Sequence, residues 1–141
     1  MVLPIVIGTN RPTARACAAA LLSVILASCD GGTAASPTPN PTTETFTGTL
    51  GPGQKAVHPY TMKVAGTVYT TLTTLTGVDY IGVASGTWEG TTCTVGAHSE
   101  NMRAGNSFGA SVPSPQNLCT VVYDVGVITT TASYTVTVTH P

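Results

Sequence analysis

The chain has 141 residues, a formal net charge of −1 and only 8% charged residues, against roughly 25% in ordinary soluble chains. This excludes the basic surplus that nucleic-acid binding requires, and the length allows one ordinary domain plus a short additional segment. Polarity comes instead from about 27 threonines, whose β-branched side chains suit a pleated, half-wetted strand, so the composition points to an extracellular β-protein.

Residues 16–27 read ACAAALLSVILA, about a dozen apolar or small residues, short of the roughly 20 that a membrane-spanning helix needs. Arg11 and Arg15 precede the run like the positive segment of an export signal. An earlier apolar stretch, MVLPIVIG, is not part of ordinary signals, and a start site placed too far upstream would account for it. The run ends in Leu26-Ala27-Ser28-Cys29, which resembles the lipobox of bacterial lipoproteins. The resemblance implies cleavage between Ser28 and Cys29 and a diacylglyceryl group on the Cys29 thiol. It also implies the membrane as a partner, since two or more acyl chains anchor stably where one does not. The plainer alternative is a buried helical cysteine. Cys17 falls inside the segment that would be removed. Asp30 resembles the second-position aspartate that retains some enterobacterial lipoproteins in the inner membrane, and the choice between inner and outer membrane stays open.

The expected organisation is a signal peptide helix over 1–28, a lipidated N-terminus and disordered linker over 29–45, and a β-sandwich over 46–141. The linker reads DGGTAASPTPNPTTET after Cys29, with Pro37, Pro39 and Pro41 among small polar residues. Such a segment buries too little surface to offset its ordering entropy and acts as an extended tether.

From Phe46 onward, strand patterns follow one another. TFTGTL precedes the turn GPGQ, whose Gly and Pro suit a tight reversal. HPYTMKV alternates through Tyr60, Met62 and Val64; TVYTTLTTLT, YIGVAS, CTVGA and LCTVVYD follow. In the last, SYTVTVTH, Tyr134, Val136, Val138 and His140 share one face and hydroxyl residues the other. Seven or eight antiparallel strands at this spacing imply an all-β, jelly-roll-like sandwich. Cys93 shares a face with Val95, and Cys119 with Val121 and Tyr123, so both are expected to point into the core. In an exported domain they are expected to pair, the alternative being two buried thiols.

FTGTLGPGQ, HPYTMKVAGTVYTTLT, GTW, NLCTVVYDVG and YTVTVTHP together resemble bacterial pre-peptidase C-terminal domains, over most of 46–141. The resemblance implies a jelly-roll-like sandwich and roles in secretion, chaperoning or substrate attachment beside a hydrolase. In the family's usual arrangement a catalytic domain precedes the module, and none is expected in residues 1–45 here.

Candidate chemistry is sparse. Gly105–Gly109, GNSFG, matches the serine-hydrolase pattern around Ser107, but that pattern needs a strand-to-helix elbow and no helix is expected here. His58, His98 and His140 are scattered and lack zinc spacing; His58 and His140 have apolar neighbours on their faces. Asp79, Glu89, Glu100 and Asp124 form no dense acidic loop for calcium, and Asp124 in YDVG is expected to cap a turn. Trp88, in GTWEG, is the candidate ligand-binding residue, able to stack on a sugar if exposed and otherwise to cover one end of the core. No catalytic residue, metal or cofactor is expected. The expected function is a non-catalytic cell-envelope lipoprotein binding a protein or glycan. A carbohydrate-binding module, or an accessory or inhibitor of a secreted hydrolase, are the alternatives.

Overall fold

A computed structural model describes residues 40–141. The expected signal peptide, the lipobox with Ser28 and Cys29, and most of the linker lie outside the described residues. Eight strands follow in order: β1 (Thr42–Leu50), β2 (Lys55–Met62), β3 (Gly66–Thr76), β4 (Ile81–Trp88), β5 (Cys93–Met102), β6 (Ser107–Val112), β7 (Gln116–Tyr123) and β8 (Ala132–His140). They build two four-stranded antiparallel sheets, sheet A in the order β1-β8-β3-β6 and sheet B in the order β2-β7-β4-β5. Consecutive strands cross between the sheets at almost every step, the winding of a jelly roll. No helix occurs among the described residues.

The period-two alternation of the sequence produces this arrangement. On β8, Tyr134, Val136, Val138 and His140 are buried between the sheets, whereas Ser133 and the alternating threonines face outward. Leu50, Met62, Leu72, Ile81, Val83 and Val122 complete the centre of the core. Each such side chain contributes on the order of 1.5–3 kcal/mol through removal from water. The outer face of sheet A carries threonine in register across three strands, with Thr43 opposite Thr139 and Thr45 opposite Thr137, and Thr71 opposite Thr137 from the other side.

The turn after β1 has the chemistry its residues require. Pro52 and Gly53 occupy its centre, Gly53 at φ 68°, and the Gln54 amide donates to the Gly51 carbonyl at 3.2 Å. Positive φ at the third position is where a type II turn needs glycine. Three expectations shift in detail. β1 starts at Thr42, so the last residues assigned to the linker already pair with β8. β2 ends at Met62, leaving Val64 exposed in the following connection. SFGASV forms β6, paired with β3, where a Gly/Ser loop was expected.

The core is not wholly apolar. Thr70 on β3 and Ser85 on β4 are buried, and their hydroxyls meet at 2.9 Å, a hydrogen bond that joins the two sheets. Removing one partner strands the other hydroxyl without water, which costs about 1–3 kcal/mol, whereas replacing both is close to neutral. Thr70→Val is therefore expected to lower the denaturant midpoint clearly, and Thr70→Val with Ser85→Ala to recover most of the loss. Additive losses in the double variant would show that the pair is not coupled.

Candidate functional site

A broad open groove lies on the outer face of sheet B. Along β4, Gly82, Ala84 and Gly86 alternate onto that side, with Trp88 in the same parity at the strand's end. Flanking β7 and β5 supply larger groups, so the middle of the sheet forms a trough. The groove measures about 740 Å³ and is lined by Val57, Ala84, Val95, Val121 and Tyr123, with Lys55, His98, Glu100 and Asp124 among its polar lining. Val57 and Val95 are 37% and 48% exposed and give the groove apolar surface open to solvent.

Both ends of the trough depend on glycine. At one end the Tyr123 ring lies over Gly82, where an added Cβ would sit 2.3 Å from the ring. Burial first, and then the negative charge of Glu100, push the Tyr123 phenol above its usual pKa. At the other end the strand β5 comes down on Gly86, where a Cβ would lie 2.1 Å from the Thr94 carbonyl oxygen. That approach brings Cys93 of β5 to Cys119 of β7 across the intervening β4, and the two form a disulfide with a Cα–Cα distance of 5.9 Å. With a sequence separation of 26 residues, the chain-entropy model assigns it about 3.5 kcal/mol.

The pairing is as expected, but its position is not. Cys119, Val121 and Tyr123 do share a face, yet Leu118, Thr120 and Val122 are the ones between the sheets. The disulfide therefore lies on the outer side of sheet B, with Cys93 lining the groove and Cys119 fully buried beneath it. Strand β7 is buried on both faces, so alternation alone does not say which face is interior.

Asp124 forms the wall of the groove beside Tyr123. Its carboxylate accepts from the amides of Gly53 (2.8 Å), Gly126 (2.9 Å), Val127 (2.9 Å) and Ile128 (3.1 Å). Its own amide donates to the Gln54 carbonyl at 2.9 Å. One side chain thus ties the β1–β2 turn to the connection between β7 and β8, the turn-capping role expected of it. Oxygens surrounded by N–H donors suit an anion and not a cation ligand. No group of three His, Cys, Asp or Glu converges among the described residues.

The other singled-out residues lie apart. Ser107 begins the edge strand β6 opposite Thr71, after a turn at Gly105, and no elbow leads into a helix. His58 is between the sheets, its Nε2 2.8 Å from the Tyr134 hydroxyl and its ring stacked on Phe46 at 4.8 Å; burial lowers its pKa from 6.5. His98 faces the groove on β5. His140 is buried, with Nδ1 facing the Pro141 carbonyl at 3.0 Å and Nε2 facing Glu44 at 3.3 Å. Serine and histidines therefore do not assemble. Trp88 is half-buried at the end of β4 opposite Cys93. Tyr123 lies over Gly82, six positions away along the strand and so roughly 20 Å distant. Between the sheets, the buried Tyr60 and Thr120 hydroxyls lie beside one another, and burial pushes the Tyr60 phenol up to about 12. The groove itself escaped sequence reasoning; its one signal was the small-residue alternation Gly82, Ala84, Gly86 within β4.

No protein-family model matches the chain, and no curated protein is similar to it in sequence. Among solved structures, its fold is similar to that of PliG from Aeromonas hydrophila, a periplasmic lysozyme inhibitor of g-type lysozyme. The two share 8% identity with a TM-score of 0.53, over 70% of this chain and 86% of that one. At that identity the likeness concerns the fold.

The four amide bonds to Asp124, led by the one from Gly53, hold its pKa below 3.8. A carboxyl depressed in the folded state contributes stability that is in place above its unfolded value and is lost as pH falls through the folded one. Acid unfolding is expected to include this loss below pH 3.8, and Asp124→Asn to flatten that part of the stability–pH curve while lowering stability at neutral pH. An unchanged acid limb in Asp124→Asn would contradict the assignment.

Proposed function

We propose that this chain is a non-catalytic binding protein of the bacterial cell envelope, which docks a protein partner in the groove on the outer face of sheet B. The observation that carries the reading is the groove's construction. Its floor combines exposed valines and the disulfide over a trough of small residues, and its ionisable groups sit on separate strands and turns. Fixed apolar contact area with a polar rim is the anatomy of a recognition surface, while catalysis needs polar groups converging on one point. The disulfide accords with an oxidising compartment. The lipobox-like Leu26-Ala27-Ser28-Cys29 supports export and a lipid anchor on Cys29.

A protein partner is preferred over a glycan because sugar recognition relies on an exposed aromatic platform, and the groove has none: Trp88 and Tyr123 are half-buried, and the exposed Tyr69 lies on sheet A. A second reading is inhibition of a secreted cell-wall hydrolase. Two observations favour it: the fold likeness to a lysozyme inhibitor, and the resemblance to domains that accompany hydrolases.

The test is capture of envelope proteins by the purified, immobilised chain. Val57→Glu and Val95→Glu place charges on the apolar floor without touching the core. Each is expected to reduce capture of the specific partner at least tenfold, with thermal stability unchanged. Thr45→Glu, on the opposite sheet, is expected to leave capture intact. Full capture by both valine variants would overturn the groove as the docking surface. The inhibitor reading predicts saturable loss of g-type lysozyme activity on titration with the chain, abolished by the same two substitutions.

A further inference from the structure

Four strands border the two sheets, and three of them carry features that discourage pairing with another chain. β2 has Pro59 at its middle, β5 shifts register twice against β4, and β6 is only six residues long. β1 lacks these three features, and its one inward charge, Glu44, is engaged by His140 of β8. Its nine residues pair with β8 without a shift, it contains no proline or lysine, and no described strand covers its other edge. An edge of that kind presents a row of free backbone donors and acceptors, a template for strand addition.

We propose that β1 joins two copies of this chain, antiparallel and edge to edge about a twofold axis through Phe46, fusing the two A sheets into one. The strand is complementary to itself in this register. Because side chains alternate, only registers that place outward residues opposite outward residues keep the faces consistent. Of these, the one centred on Phe46 pairs the whole strand, Thr42 opposite Leu50. It sets Thr43 opposite Thr49 and Thr45 opposite Thr47, cross-strand pairs that stabilise sheets. Glu44, the one charge on β1, then faces Gly48. A slip that centres the pair on Glu44 instead brings two carboxylates directly opposite one another, which is unfavourable. The outward side of β1 is threonine alone, so no charge opposes the approach.

This interface is isologous and closed, as twofold contacts are, and it is independent of what the groove holds. It leaves both grooves free, since they lie on sheet B. The dimer would therefore offer two docking surfaces at a fixed separation, and a multivalent partner would be held with avidity beyond either groove alone.

The test uses the purified full chain with Cys17→Ser and Cys29→Ser, so that the closed Cys93–Cys119 pair holds the only native cysteines left. Sedimentation equilibrium is expected to give twice the mass of one chain. Under mild oxidation, a mixture of Thr45→Cys and Thr47→Cys chains is expected to cross-link at least tenfold faster than either variant alone. A Ser111→Cys variant, at the β6 edge, is expected not to cross-link. A monomer at every concentration would overturn the proposal, and so would a dimer whose cross-linking does not distinguish the 45–47 pairing from the others.

Discussion

Much of this structure depends on the closeness with which β5 approaches Gly86. Any side chain there would collide with the Thr94 carbonyl, and β5 would have to lie at ordinary strand distance. Adjacent strands sit about 4.8 Å apart, so two strands flanking a third are normally too far apart for a disulfide. Here Cys93 and Cys119 reach 5.9 Å between Cα atoms. Glycine at one position of β4 thus places the covalent link, and the link holds together the three strands that shape the groove. The same strand supplies Gly82 beneath Tyr123 and Ala84 between. One face of one strand sets the floor, the end and the covalent closure of the candidate site.

The two sheets divide their tasks. Sheet A turns a hydroxyl surface outward and closes the sandwich with β8, whose inner residues run through the core. Sheet B carries apolar side chains on both faces, the inner set for the core and the outer set for the groove. The buried Thr70–Ser85 bond ties one sheet to the other, and Asp124 ties the turn after β1 to the end of β7. Polar groups that could have been chemical are used structurally in this fold: His58 with Tyr134, His140 with Glu44, and Asp124 with four amides. They do not gather in one place, and the surface they leave is suited to recognition.

Strand existence was legible in the sequence because one wetted face and one dry face impose period two. SYTVTVTH and HPYTMKV show it directly. The faces of β7 were not legible: LCTVVY is apolar at nearly every position, so the alternation carries no sign, and the disulfide was assigned to the core instead of the groove. β6 was missed because SFGASV mixes glycine and small residues, and its pairing comes from β3 rather than from local propensity. The partnership of Cys93 with Cys119 was legible from compartment and count. The groove was not, because a trough is a relation among strands distant in sequence, and no local pattern encodes it.

The central claim is that the outer face of sheet B is the surface this protein uses. Photo-crosslinking in intact cells tests it most directly. A benzophenone amino acid would be placed at Val95 in the groove or at Thr137 on the opposite sheet. The account predicts a discrete covalent adduct with another envelope protein from position 95 and none from position 137. An adduct from position 137 with none from position 95 would contradict it.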